Sequence, residues 1–511
     1  MKLRWKILIG LGILLTLVCA SLFVTFHVQP VREVEAYRKT LRAQGEKLDW
    51  SEIRPPAVTA ADNSAETVQR AFSMFDADSE KVPYAMKLVA PGRALIGWQQ
   101  HDARNSEFTN SWDEFGAKVD ANRAVFDLLR EVVMRPKLEF PLDEKNVSFS
   151  LFTNLVPMRR AVQKLDGAAV LALRRGDPGT AATNIVTMLA LVQKNAGQGL
   201  EICHLVRLAM ANIAATPTWE LLQSSNVSAQ QLAAVQSGWQ QLDFLRDAEN
   251  ALMLERAWGS AQSQESRASH KGFTNVFTEL IDLSGSGGGT GSGWPELLEN
   301  VTQGPRLAVS EELWRTSWSY EDELLNLKCT QIALDAIRNM ETNRSGCLKT
   351  NYDVMLVRLA SLSPTNSGAA WLDTLKIPDL RRILSDSNVG AMVRKTLMTE
   401  AVRDLAMSAI GLKRYQLQHG RLPDALAELV PEFLPAVPID PYDGKPIKYH
   451  PYDDGAFLLY SVGKDGADDG GDPSPVSGRS DSFSWFDSRD MVWPLPASAA
   501  EVENFYAHPP K

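Results

Sequence analysis

The sequence predicts a mainly α-helical protein in three parts: an N-terminal transmembrane helix, a large irregular α-helical domain and a small α+β domain at the C-terminus. Three observations carry this expectation. An unbroken run of 20 apolar or small residues fills Ile7 to Phe26. From about residue 61 to 435, apolar residues recur at intervals of three and four, which is the spacing of one helix face. Past Pro431 the pattern changes to short segments punctuated by Asp, Gly and Pro, the punctuation of strands and turns. At 511 residues the chain exceeds the size at which one core keeps growing, so two or more domains are expected.

Lys2, Arg4 and Lys6 precede the apolar run, which as a helix rising about 1.5 Å per residue reaches across a ~30 Å hydrocarbon core. No A-x-A-like cleavage site follows, so residues 1–27 read as an uncleaved anchor. The three cations ahead of it favour an inside N-terminus, giving a single-pass inner-membrane protein that contacts the membrane through this helix and has its body in the periplasm. Arg32, Arg38, Lys39 and Arg42 dilute that asymmetry. Residues 28–60 read as a helical stalk ended by Pro55-Pro56. Residues 61–283 read as the α-helical domain, clearest from Met158 to Leu222. There Ala161, Leu165, Ala168, Ala169 and Leu171 mark one helix, Gly176-Asp177-Pro178-Gly179 breaks it, and Ala181 to Asn195 begins the next. This turn, with Leu173-Arg-Arg-Gly-Asp177 ahead of Ala181, is similar to a tetratricopeptide hairpin, but a solenoid needs about three stacked repeats and one copy is present.

Ser284 to Gly293 is a Gly/Ser-rich linker or loop. It lacks the Gly-Lys-Ser/Thr of a phosphate-binding loop. Residues 294–387 read as a second helical segment, and residues 388–490 as a helix running to His419 followed by a hairpin. In that hairpin Ile447 to His450 and Ala456 to Val462 flank Asp453-Asp454-Gly455. Residues 491–511 remain as a tail.

The formal charge is −9, and from residue 440 onward 13 acids face 6 Lys and Arg. The remainder is close to neutral and lacks the clustered cations that a nucleic-acid surface requires. The acidic end points to cations or to a solvated surface. Four cysteines without a C-x-x-C exclude a zinc ribbon by spacing. Cys203 reads as a buried thiol, and Cys329 with Cys347 could pair in an oxidising compartment. Glu201-Ile-Cys-His204 has the spacing of a di-iron helix, but a second copy and two further glutamates are missing. Neither H-E-x-x-H nor a Ser-His-Asp set is assembled, and no catalytic residue is assigned.

Three motifs near the end follow one another: Tyr415-Gln-Leu-Gln-His419-Gly420-Arg-Leu-Pro423, then Pro438-Ile-Asp440-Pro441-Tyr-Asp443-Gly444-Lys-Pro446, then Ser461-Val-Gly463-Lys-Asp465-Gly466 leading to Gly470-Gly471, with Asp481 and Trp485 beyond. In this order they resemble the globular domain of the major pseudopilin of type II secretion systems. The resemblance covers about residues 390–490. It implies a pseudopilin-like C-terminal module stabilised by calcium, with Ser461, Asp465, Asp468, Asp469, Asp472 and Asp481 as the metal-site residues. Calcium takes about six to eight oxygens in flexible geometry. The family's G-F-T-L-x-E leader is absent, so a filament subunit is not implied. The chain as a whole also resembles uncharacterised membrane-anchored proteins of planctomycete and verrucomicrobial bacteria, which imply no reaction. The expected function is that of a non-enzymatic binding or scaffold protein with protein partners on its helical domain. Two alternatives stand beside it: a hydrolase using Glu201, His204, Glu311, Glu312 and Glu321 to Glu323, and an accessory of a type II secretion-like system.

Overall fold

A computed structural model describes residues 2–53, 58–75, 83–105, 109–141, 147–196, 199–272, 311–312, 314–362, 387–476, 485–486 and 488–508. The Gly/Ser-rich stretch 284–293 lies outside them. In chain order the helices are α1 (Lys2–Phe23), α2 (Gln29–Ala43), α3 (Trp50–Ile53), α4 (Ala65–Ser73), α5 (Trp112–Ala121), α6 (Arg123–Arg130), α7 (Val147–Arg174) and α8 (Pro178–Lys194). They continue as α9 (Glu201–Leu222), α10 (Ala229–Gln240), α11 (Phe244–Ala268), α12 (Ser319–Thr342), α13 (Leu348–Ala360), α14 (Ser387–His419) and α15 (Ala499–Ala507). The strands are β1 (Lys87–Ala90), β2 (Arg93–Leu95), β3 (Ala103–Arg104), β4 (Thr109–Asn110), β5 (Lys448–Pro451), β6 (Phe457–Ser461), β7 (Met491–Val492) and β8 (Leu495–Pro496). The chain is thus mainly helical with small sheets.

The expected transmembrane helix is corrected by this structure: among the described residues no helix is long and apolar enough to cross a membrane. The reason lies in where α1 stops. The apolar run continues to Phe26 in the sequence, yet the α-helix ends at Phe23 and gives way to a π-helical turn, Val24–Val28. Roughly 17 apolar or small helical residues remain after Lys6, about 25 Å at 1.5 Å each, against ~30 Å of hydrocarbon. The single-pass inner-membrane placement, with its body in the periplasm, rested on that span and is withdrawn with it. The described side chains Trp5, Ile9, Leu11, Leu14 and Leu17 of α1 are exposed.

The chain forms two compact units, each built from three stretches of sequence. The first comprises Met1–Pro55, Leu252–Asp335 and Met355–Ala391. Its interior mixes a small apolar cluster of Leu41, Leu48 and Leu327 with buried ion pairs. Arg256, fully buried, donates to Glu46 Oε2 at 2.8 Å and to Gln331 Oε1. Arg38 and Arg267 both pair with buried Glu323. Burying such charges is tolerable only when each is matched in this way.

The second unit comprises Pro56–Ala251, Ala336–Val354 and Met392–Lys511. Here α7, α8 and α9 pack on one another and α10 packs on α8. The predicted break between α7 and α8 is seen at Gly176, whose φ of +77° ends the first helix. Asp177 then caps α8 by accepting the Thr180 N–H at 2.9 Å, with Pro178 at the first helical position, both favourable at a helix start. Apolar residues at helical spacing, including Leu165, Ala169, Ile185, Met188, Ala214, Trp219 and Trp239, are fully buried.

The end of the chain is no tail. Leu495 and Pro496 pair in parallel with Arg93 and Ala94, giving the sheet order β1-β2-β8. Phe505 of α15 packs against Val89 and Leu95. Met491 and Val492 complete a second sheet of order β5-β6-β7. The expected hairpin is present, with Lys448 opposite Tyr460 and Pro451 opposite Phe457. Among the described residues, Cys203, Cys329 and Cys347 are not joined in a disulfide. The pairing of Cys329 with Cys347 is therefore not formed, and Cys347 Sγ instead donates to the Tyr442 carbonyl at 2.9 Å.

Candidate functional site

The motif-bearing end of the second unit is organised around two buried carboxylates, neither of which the sequence singled out as a ligand. Asp440, fully buried, accepts from the Tyr442 N–H (3.0 Å), the Ser461 hydroxyl (2.9 Å) and the Val462 N–H (2.8 Å). Burial pushes its carboxyl up to about 6. Asp490, also fully buried, accepts from Gly471 N–H (2.7 Å), Asp472 N–H (2.9 Å) and Asp469 N–H (3.4 Å). The Gly-rich loop therefore turns its N–H groups inward onto an anion belonging to the chain, as in a backbone nest. Gly471 is required at this place: its φ is +82° and a Cβ would lie 2.8 Å from Leu458.

The six residues expected to hold calcium are distributed as follows. Ser461 is spent on Asp440. Asp465 accepts from the Ala467 N–H (3.0 Å) and Asp468 from the Tyr460 hydroxyl (2.9 Å) and the Gly470 N–H (3.1 Å). Asp469 and Asp472 approach Arg489 at 3.5 and 3.7 Å, and Asp472 also accepts from the Ser474 N–H (2.9 Å). Asp481 lies outside the described residues. Among the described residues no three acidic, histidine or cysteine side chains form a group able to hold a metal. Among the described residues these side chains are taken up by the chain's own donors and do not converge as the oxygens around a hard cation must. A ligand bound only by the native state raises the unfolding midpoint, so about 1 mM calcium is expected to leave the midpoint of the full chain within roughly one degree. Calorimetry with calcium, magnesium and chelator checks this; a rise of several degrees with calcium alone would place the ion in the loop.

His204 and Glu201 both lie on α9. His204 is buried, with Nε2 2.9 Å from Thr396 Oγ1. The Thr396 hydroxyl donates to the Met392 carbonyl at 3.0 Å, so Nε2 carries the hydrogen and Nδ1 keeps its lone pair, buried and without a partner. Burial and the nearby Arg207 hold this histidine well below its ordinary value, and it is neutral. Glu311, Glu312 and Glu321 to Glu323 belong to the first unit, where Glu323 is bound by two arginines, Asp322 by the Trp314 indole (2.8 Å) and Glu311 by His270 (2.7 Å).

A third constellation was not anticipated. Asp166 of α7 and Glu220 of α9 are buried acids. Glu220 Oε1 accepts from the N–H groups of Met86 and Gly97, both at 2.8 Å. Glu220 Oε2 and Asp166 Oδ1 have no hydrogen-bond partner. Burial pushes Glu220 up to about 8 and Asp166 well above the carboxylate range. The signal in the sequence was an acid on an apolar helix face: Asp166 stands four residues after Val162 and three before Ala169, both buried. Met86 has φ +47°, the one positive value outside glycine among the described residues.

The described surface of the module also carries an open groove of about 610 Å³, lined by Lys445, Lys448, Tyr449, His450, Leu458 and Tyr460 among others. Lys448 is held by Asp443 at 2.7 Å, and the Tyr449 hydroxyl donates to the Pro423 carbonyl at 2.9 Å. No protein family, curated protein or solved structure matches the chain.

Proposed function

We propose that this chain is a binding protein whose C-terminal β module, pseudopilin-like in its order of helix, turn and hairpin, recognises an extended segment of a partner protein. The groove on the β5–β6 hairpin is the single observation that carries this reading. It combines aromatic and aliphatic walls with cationic and imidazole groups, the mix of apolar area and few polar anchors that recognition sites use. β5 is the outer strand of its sheet, and an outer strand offers backbone N–H and C=O groups to an added strand. Pro451 at its end suits an edge position. The buried carboxylates Asp440 and Asp490 support the reading by fixing the turns on either side of the hairpin, so the groove is preorganised.

The test is selection from a displayed random-peptide library on the full chain, repeated on the Lys445→Glu/His450→Ala double variant. Peptides enriched on the native chain should bind the variant at least tenfold more weakly. Absence of enrichment, or equal binding to both chains, overturns the assignment.

A further inference from the structure

We propose that the groove on the β5–β6 hairpin takes a carboxylate-bearing extended segment, with an aspartate or glutamate side chain of the partner on Lys445 and an apolar side chain of the same segment on Leu458. This inference rests on the reading of the groove as a peptide site and names the chemistry that the site selects.

The pleat decides what the hairpin presents. Lys448 stands opposite Tyr460 and His450 opposite Leu458, and side chains alternate between the two faces of a strand, so these four share one face. Tyr449 and Leu459, opposite one another, share the other, where Leu459 is fully buried and the Tyr449 hydroxyl is held by the Pro423 carbonyl. The Gly-rich loop closes on the first face: Leu458 lies against Gly471, and the Tyr460 hydroxyl donates to Asp468 Oδ1 at 2.9 Å. Leu458 and the Tyr460 ring thus supply apolar surface to the groove, while Lys445, Lys448 and His450 supply its cationic and imidazole groups.

Charge decides the occupant. None of the residues lining the groove is acidic, although acids outnumber Lys and Arg by 13 to 6 from residue 440 onward. Two of those acids are taken up close by. Asp443 accepts the Lys448 ammonium on Oδ2 at 2.7 Å and the Lys445 N–H on Oδ1 at 2.8 Å, and Asp468 accepts the Tyr460 hydroxyl and the Gly470 N–H. Lys448 is therefore neutralised, whereas Lys445 is exposed and has no ion pair among the described residues. His450 is also exposed, its ring edge-on to Tyr452 with centroids 5.6 Å apart. An unpaired ammonium beside apolar surface favours a carboxylate and disfavours a cationic side chain in the same place. An extended occupant alternates its own side chains, so the acid and the apolar residue that use one face stand an even number of residues apart, about 6.6 Å for each two.

Parallel selection of one displayed random-peptide library on the full native chain and on its Lys445→Glu variant tests the assignment, with no free C-terminus on the displayed peptides so that every carboxylate is a side chain. The native chain should enrich Asp or Glu at one position with an apolar residue two or four positions away. Lys445→Glu should enrich Lys or Arg there instead, an inversion that an unfolded variant does not produce. Enriched peptides resynthesised with amidated C-termini should lose about two- to fivefold in affinity when the acid becomes its amide, the range for one exposed ion pair. On Lys445→Gln that same change should make no difference. Enrichment without an acid preference, the same acidic peptides on native and Lys445→Glu chains, or an acid-to-amide loss equal on native and Lys445→Gln chains would overturn the carboxylate assignment while the groove reading stood. If neither chain enriches any peptide, the groove reading falls and this inference falls with it.

Discussion

Replacing Arg207 by alanine is expected to lower the stability of the second unit by about 3–5 kcal/mol, the range for breaking a buried ion pair by removing one partner. Arg207 is 2% exposed and pairs with Asp247, which is 7% exposed. It also donates to the Val192 carbonyl at 3.1 Å and the Ala196 carbonyl at 3.3 Å, tying α8 and the turn after it to the start of α11. Truncation leaves an uncompensated buried carboxylate and two carbonyls short of a donor. Burial pushes Asp247 up, and Arg207 is the main influence pulling it down. Without the arginine, the carboxyl's folded value rises further, so the variant's loss should be smallest in acid and grow as pH increases. Denaturant unfolding from about pH 5 to 8 measures both effects. Arg207→Lys should recover part of the loss, because one ammonium cannot reproduce the three-way fork of the guanidinium. A cost below about 1 kcal/mol, with no pH dependence, would mean that the pair is dispensable.

Replacing Asp490 by alanine is expected to cost about 2–4 kcal/mol, from partly buried N–H groups that lose a charged acceptor at roughly 1.5–3 kcal/mol each with partial relaxation. The affected donors are Gly471, Asp472 and Asp469. Reorganisation is restricted at Gly471 because its neighbour Leu458 lies against the backbone. The loss should concentrate in the loop, appearing as faster amide exchange at Gly471 and Asp472. Asp490→Asn keeps one acceptor oxygen and should cost less than half as much. By contrast, Asp465→Ala removes a single exposed contact to the Ala467 N–H and should change stability by under about 0.5 kcal/mol. Equal effects of Asp490→Ala and Asp465→Ala would remove Asp490 as the organiser of the loop.

The helical class of the chain was legible because amphipathic spacing and caps act within one or two turns. Gly176, Asp177 and Pro178 announce a helix end and a helix start by their own chemistry, and the structure places both there. The β5–β6 hairpin was legible for the same reason, with Gly455 in the left-handed region after Asp454 accepts the Ala456 N–H. The site was less legible. Asp440 stood in a recognised turn, but its role as acceptor from Ser461 and Val462 depends on a strand that follows some twenty residues later. Asp490 and Glu220 looked like ordinary acids. What separates them from solvated ones is burial, which the one-dimensional pattern registers only as an acid among apolar neighbours. The apolar N-terminal run misled in the opposite way, since length was counted along the sequence while the regular helix stopped at Phe23.

By itself, the sequence determined the local elements: the helical bulk, the turns set by Gly, Pro and Asp, and the hairpin near the end, all of which depend on residues a few positions apart. The tertiary structure alone decided that Leu495 and Pro496 join a sheet with Arg93 and Ala94. It also decided that Glu220 meets the backbone of Met86 and Gly97, that Arg207 meets Asp247, and that Asp490 rather than a cluster of exposed aspartates holds the Gly-rich loop. The physical reason is that burial and long-range pairing are properties of the closed chain: desolvation turns a carboxylate into a group that must be matched, and the partner that matches it need not be near it in sequence.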